Sequence, residues 1–234
     1  MDKLTVETYS PSNTINRVIP SPVPSSRTIP DWYKEIPRHS DNLNKTRDTL
    51  TAKACIPYLD AMTAGYMLTT WCDIKIMQVE VETGFVPDLS WNSELWPLEV
   101  RSSSVSLGLQ RINGYSEWSF AWNVPWGIKT PEGYSALITH PLNRPDLPFI
   151  TFSGLVDTDA FAAPGSALFC VSTGFEGIIP KGTPYLQVIP IKRHEWEIKV
   201  NNDLRGNQNS LREDAIDSGG GAYKLKHWTK KDYS

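Results

Sequence analysis

From residue 51 to about residue 200 the chain is written in short runs rich in Val, Ile, Thr, Tyr, Phe and Trp, separated by Gly and Pro. Runs of that length and type, cut by residues that break pairing, fit strands better than helices. Ile74-Lys75-Ile76-Met77-Gln78-Val79-Glu80-Val81 alternates, with Ile74 and Ile76 expected on one side and Val79 and Val81 on the other side of a bulge. Ser102 to Gln110 alternates through Val105, Leu107 and Leu109. Ser135 to His140, Ala167 to Val171 and Tyr185 to Ile191 read as buried strands. Helix signals are few. Asn42 to Asp48 or Cys55 to Met62 can hold a short helix, and Asn209 to Ile216 opens on capping residues followed by acidic ones. The spacing predicts an all-β domain, a compact barrel or sandwich rather than a parallel α/β sheet.

The flanks differ from this core. Residues 1–50 carry Pro11, Pro20, Pro22, Pro24, Pro30 and Pro37. Proline fixes φ and removes a backbone donor, so an extended arm is expected. Within it, Trp32 and Tyr33 stand together, which a disordered linker rarely shows. They are expected to anchor the arm on this subunit or on a neighbour. Residues 51–200 form the core domain, and residues 201–234 a polar tail with a glycine run at Gly219 to Gly221 and a lysine-rich end. A solvated face is the ordinary reading of those lysines, and contact with an acidic partner the functional one.

Composition narrows the function. The net charge is −3 over 234 residues, so duplex nucleic acid is not an expected partner. No apolar run reaches the roughly 20 residues of a membrane helix, and Met1 to Thr8 lacks the apolar centre of a signal peptide. A soluble chain, intracellular at synthesis, is the expectation. Three scattered cysteines, Cys55, Cys72 and Cys170, suit free core thiols better than disulfides or a metal site. The P-loop, nucleophile-elbow and H-E-x-x-H patterns are absent. Among nine tryptophans, Trp122 and Trp126 flank Asn123-Val124-Pro125, and the pair is read as a subunit interface or a stacking surface.

Three blocks carry a further signal. Ala64 to Ile74 contains Gly65-Tyr66 and then Asp73. Ser153 to Phe161 contains Gly154, two apolar residues and Asp157-Thr158-Asp159. Ile179 to Ile191 contains Gly182 and Gln187. In order and spacing these blocks resemble the dUTPase and dCTP-deaminase superfamily. The resemblance implies a β-clip, jelly-roll-like subunit that forms homotrimers. It implies Asp157 as the residue that activates water, Asp159 as its partner and Gln187 on the phosphate-facing strand, with magnesium as cofactor and a nucleotide as ligand. The glycine run at Gly219 to Gly221 falls where a glycine-rich arm would close over that nucleotide.

The chain also departs from the superfamily's pattern. Met67 stands where an acidic residue is expected, Ala160 where a stacking aromatic is expected, and no Arg-Ser pair appears near Thr130-Pro131-Glu132-Gly133. Each loss removes transition-state stabilisation. Without the site, Asp157-Thr158-Asp159 is simply a turn and Gln187 a core amide. The chain as a whole resembles a protein family of large tailed phages, especially those of marine cyanobacteria. Ile29 to Lys34, Cys55 to Tyr66, Lys129 to Tyr134 and Lys181 to Pro184 carry that resemblance. It implies a virion or assembly role, and a virion or the host cytoplasm as the location. The expectation is therefore a non-enzymatic β-clip-like scaffold without cofactor or metal, self-associating as a homotrimer and contacting other virion proteins. Trp32 and Tyr33 would fill a neighbour's pocket, and deleting residues 1–37 would weaken assembly without unfolding the core. The alternative is a dUTPase-like enzyme working through Asp157, Asp159 and Gln187, and a carbohydrate-binding module resting on the tryptophans comes third.

Overall fold

The computed structural model describes residues 4–10, 12–82, 84–101, 112–200, 205–217 and 221–233. The alternating run from Ser102 to Gln110 and the glycines Gly219 and Gly220 lie outside the described residues. The chain divides into two compact units, one of Met1–Pro24 with Gly65–Arg193 and one of Ser25–Ala64 with His194–Ser234.

The first unit is mostly β. Its strands are β1 (Glu7–Tyr9), β2 (Val23–Pro24), β3 (Tyr66–Thr69), β4 (Ile74–Val81), β5 (Gly84–Trp91), β6 (Leu98–Val100), β7 (Tyr115–Val124), β8 (Gly127–Lys129), β9 (Tyr134–Thr139), β10 (Phe149–Thr151), β11 (Gly154–Val156), β12 (Gly165–Ser172), β13 (Gly177–Ile179) and β14 (Pro184–Lys192), with a short helix α1 (Asn13–Val18) between β1 and β2. They pair as a five-stranded sheet β11-β9-β14-β3-β2, a four-stranded sheet β10-β12-β7-β6, a three-stranded sheet β13-β4-β5 and the pair β1-β8. Every strand pairing among the described residues is antiparallel. Among the described residues no sheet closes into a barrel, which corrects the barrel half of the expectation. The five-stranded sheet stops at β2, where Pro24 has no N–H to offer a further strand.

The core forms where the two larger sheets meet. Along β12 the side chains of Ala167, Phe169 and Val171 enter it at every second position. Trp122 of β7 stacks on Phe169 with ring centres 3.8 Å apart, and Tyr185 of β14 brings its ring centre to 5.1 Å from the other sheet's Trp122. The polar ends of these rings are matched. Trp122 Nε1–H donates to Thr151 Oγ1 at 3.1 Å, Thr151 Oγ1 donates to the Tyr185 carbonyl at 2.9 Å, and Tyr185 OH donates to the Asn123 carbonyl at 3.1 Å. A buried indole or phenol needs such a partner.

Several expectations change here. Trp122 is only 1 % exposed, and Trp126 is buried with its Nε1–H on the Pro20 carbonyl at 3.0 Å. Neither ring is presented to a partner, because the alternation of β7 turns Trp122 inward and the chain after Pro125 folds Trp126 over the N-terminal segment. Strand β4 pairs with β5 residue for residue from Ile74–Trp91 to Val81–Gly84, without a bulge. Ile74 and Ile76 face the core while Val79 and Val81 take the opposite parity and stay exposed. Cys72 and Cys170 are buried, but Cys55 is exposed. The N-terminal prolines punctuate short elements rather than holding one extended arm: Pro24 closes β2, and Pro30 in extended conformation (φ −69°, ψ 151°) precedes a helix.

That helix belongs to the second unit, which contains α2 (Asp31–Glu35), α3 (Ile56–Thr63) and α4 (Arg205–Asp217). Residues 42–48 hold only the start of a single 3₁₀ turn, Arg47–Thr49. Tyr33 is buried in its own unit, stacked on Tyr58 at 5.9 Å and met edge-on by Trp32 at 5.8 Å, an anchor within this subunit. Lys53 Nζ lies 4.6 Å from the Tyr33 ring centre and donates to the Tyr33 carbonyl at 2.9 Å. Asp60 on α3 holds the C-terminal stretch, accepting from Trp228 Nε1 at 2.8 Å and Lys231 Nζ at 2.7 Å.

Ile19 belongs to the core cluster of the first unit. Ile19→Ala is therefore expected to lower unfolding stability by about 2–4 kcal/mol in urea titrations, as a buried truncation does. A detachable arm would tolerate the change.

Candidate functional site

The acidic turn expected to carry chemistry follows β11. The Asp157 carbonyl accepts from the N–H groups of Ala160 at 3.1 Å and Phe161 at 2.9 Å, and Thr158 N–H returns to the Val156 carbonyl at 2.9 Å. These bonds make Asp157-Thr158-Asp159 the tight turn that Asp and Thr favour. The turn packs on the loop between β8 and β9. Thr158 and Thr130 share a hydroxyl–hydroxyl bond of 2.7 Å, and Gly133 N–H donates to Asp159 Oδ2 at 2.9 Å. Gly133 has φ +79°, a conformation that suits glycine.

The two carboxylates have a cation between them. Arg193, the residue after β14, donates from Nη1 to Asp159 Oδ1 at 2.8 Å and to Asp157 Oδ1 at 3.3 Å, and from Nη2 to Asp159 Oδ2. The fork on Asp159 is bidentate, the geometry in which guanidinium and carboxylate bind best. Ser135 Oγ donates to Asp157 Oδ1 at 2.6 Å, and Arg193 N–H donates to the Gly133 carbonyl at 2.8 Å. The Asp159 side chain is 10 % exposed. Its hydrogen bonds from Arg193, helped by the Gly133 N–H and the nearby positive charge, hold its pKa down at about 2. The same partnership raises the Arg193 pKa.

Gln187 is elsewhere. It is fully buried on β14, and its Oε1 accepts the Leu142 N–H at 2.8 Å, which ties down the loop after β9. Gln187 pairs with Thr139, while the Asp157 partner Ser135 sits four residues back along β9. At roughly 3.3 Å per residue that is ~13 Å. Asp157 and Asp159 are therefore together, and Gln187 is not with them.

The remaining motif positions also have structural occupations. Met67 is a core side chain, which accounts for an apolar residue at that place. Gly65 has φ +63°, and a Cβ there would lie 2.0 Å from the Val188 carbonyl oxygen. Asp73 Oδ1 accepts the Lys181 N–H at 2.7 Å, and Thr70 N–H donates to the Thr183 carbonyl at 2.9 Å. The first and last blocks thus lock together, while the acidic block locks onto residues 130–135.

A cleft of about 440 Å³ opens beside Asp159, with Glu7, Glu132 and Lys129 among its walls and Ala160 rather than an aromatic residue on the turn. Phe161, one position later, is largely exposed. One lysine against two glutamates, with Asp159 already matched by Arg193, gives little attraction for a triphosphate. Arg193 lies against both aspartates, and the Asp157 side chain stays 66 % exposed.

Sequence reasoning did not find Arg193, Ser135 or Gly133. The only signal for Arg193 is the basic group Lys192-Arg193-His194 ending an apolar strand. The chain matches no protein-family model and no curated protein.

A carboxylate whose pKa falls on folding contributes stability above its unfolded pKa, near 4, and loses that contribution as the pH drops through its folded value. Denaturation midpoints measured from pH 5 to pH 2 are expected to fall on acidification, and Asp159→Asn is expected to flatten that limb between about pH 4 and about pH 2. An unchanged limb in the variant would contradict the assignment.

Proposed function

We propose that this chain is a structural or assembly protein of a tailed phage, a non-enzymatic β-clip-like scaffold that makes subunit contacts in a virion. In this reading the core self-associates as a homotrimer, other virion proteins cover further surface, and no cofactor is needed. The observation that carries it is the Arg193 fork. The two carboxylates that an enzyme of the dUTPase type would spend on water and magnesium are spent on holding β14 to the acidic turn. Gln187 supports the reading in the same way, since its carbonyl oxygen fastens a loop from inside the core. The family resemblances supply the phage setting and the trimer, and the antiparallel sheets around one aromatic core agree with a scaffold of that kind.

The test is calorimetric titration of dUTP and dCTP with magnesium into the purified protein, with product measured in the same samples and mass measured by light scattering. The expected outcome is no saturable heat, no pyrophosphate or ammonia, and a trimeric mass. Turnover that Asp157→Asn abolishes, with the fold retained, would overturn the scaffold reading in favour of the enzyme. A monomeric mass at every concentration would remove the trimer.

A further inference from the structure

The chain leaves β14 at Lys192 and runs from Arg193 to Val200 without a turn or bend. Its sequence there is His194-Glu195-Trp196-Glu197-Ile198-Lys199-Val200, apolar and charged residues in strict alternation. That is the pattern of a half-buried strand. Yet Trp196 is 86 % exposed, Ile198 93 % and Val200 87 %. Among the described residues, none of residues 194–200 has a backbone hydrogen-bond partner.

Two contacts link residues two apart in this segment. Lys199 Nζ lies 3.1 Å from Glu197 Oε2, and the His194 and Trp196 rings meet edge-on at 5.9 Å. Side chains two apart lie on one side of an extended backbone, and both contacts fit that geometry. The segment therefore has the sequence of a strand, apolar and charged residues at alternate positions, and among the described residues its backbone is unpaired. Proteins ordinarily cover, charge or break such a strand because it templates pairing.

We propose that residues 196–200 pair with the same residues of a second copy of this chain, as an antiparallel two-stranded β contact centred on Ile198. The charges select this occupant and this register. About a two-fold axis at Ile198, Glu197 of each copy stands opposite Lys199 of the other. Trp196 stands opposite Val200 and Ile198 opposite itself, so the apolar face remains continuous. A parallel in-register pair would instead set Glu197 against Glu197 and Lys199 against Lys199. Opposite charges directly across a strand pair are favourable and like charges unfavourable. The contact is isologous, the same patch on both copies. It goes beyond the scaffold reading and does not rest on it, since a two-fold link is separate from a three-fold core contact.

Two readouts on the full chain test this. In sedimentation runs over a concentration series, Glu197→Lys and Lys199→Glu are each expected to weaken the two-fold association about tenfold, because each turns both cross-strand pairs repulsive. The double variant Glu197→Lys/Lys199→Glu restores both pairs and is expected to associate like the parent. These side chains are exposed, and circular dichroism checks that each variant folds. The second readout is covalent. In a Cys55→Ser background, which removes the exposed native thiol, Ile198→Cys is expected to form disulfide-linked dimers under mild oxidation. Residues directly opposed in an antiparallel pair have Cα atoms about 4.5–5.5 Å apart, within disulfide reach. Lys199→Cys in the same background, which faces position 197, is expected not to. Single charge variants that associate like the parent, a double variant that stays weak, or an Ile198→Cys chain that does not cross-link would each overturn the proposal. A trimeric mass unchanged through all these variants, with no cross-link, would sink the two-fold contact while leaving the trimer.

Discussion

The register of β14 is the constraint on which the rest of the first unit depends. This strand lies between β3 and β9 in the middle of the five-stranded sheet. Its first half sends Tyr185 toward Trp122 and so joins the two large sheets. Gln187 then secures the loop after β9, and the strand ends at Arg193, which gathers both aspartates of the acidic turn. A slip of one residue would reverse every side chain, exposing Tyr185 and removing the acceptor from Leu142. Gly65 sits against this strand, with no room for a Cβ before the Val188 carbonyl.

This explains how motif-like residues can persist without motif chemistry. Order and spacing along a chain are set by strand length and turn type, so a β scaffold retains Gly65, Asp73, Asp157, Gly182 and Gln187 wherever its turns and pairings use them. Asp73 fastens the turn before β14, and Gly133 donates to Asp159 from a conformation that suits glycine. Asp159 sits in a bidentate fork of Arg193, and Asp157 accepts from Ser135 and Arg193.

Much of the β architecture was legible in the sequence. Alternation located β4, apolar runs located β9, β12 and β14, and Cys55 to Met62, one of two candidate helix segments, holds α3, because local burial patterns write themselves into adjacent residues. The fate of Trp122 and Trp126 was not legible. Two tryptophans around a proline look the same whether the sheet they belong to turns them inward or outward, and that depends on β7 pairing with β12 across a long stretch of chain. The N-terminal prolines misled for a related reason, since proline marks the ends of short elements as readily as it prevents them. Asp157 and Asp159 were singled out as a pair through the family resemblance. Arg193 was not, because its meeting with them requires β14, β9 and β11 to be in register, a non-local fact.

The central claim is that Arg193 and Asp159 act as one structural fastening. A double-mutant cycle on unfolding stability measures this most directly, with Arg193→Ala, Asp159→Ala and both together at neutral pH and low salt. If the two residues hold each other, each single variant is destabilised and the double variant loses clearly less than the sum. Strictly additive losses would mean that the two side chains do not depend on each other, and the aspartates would then be free for chemistry.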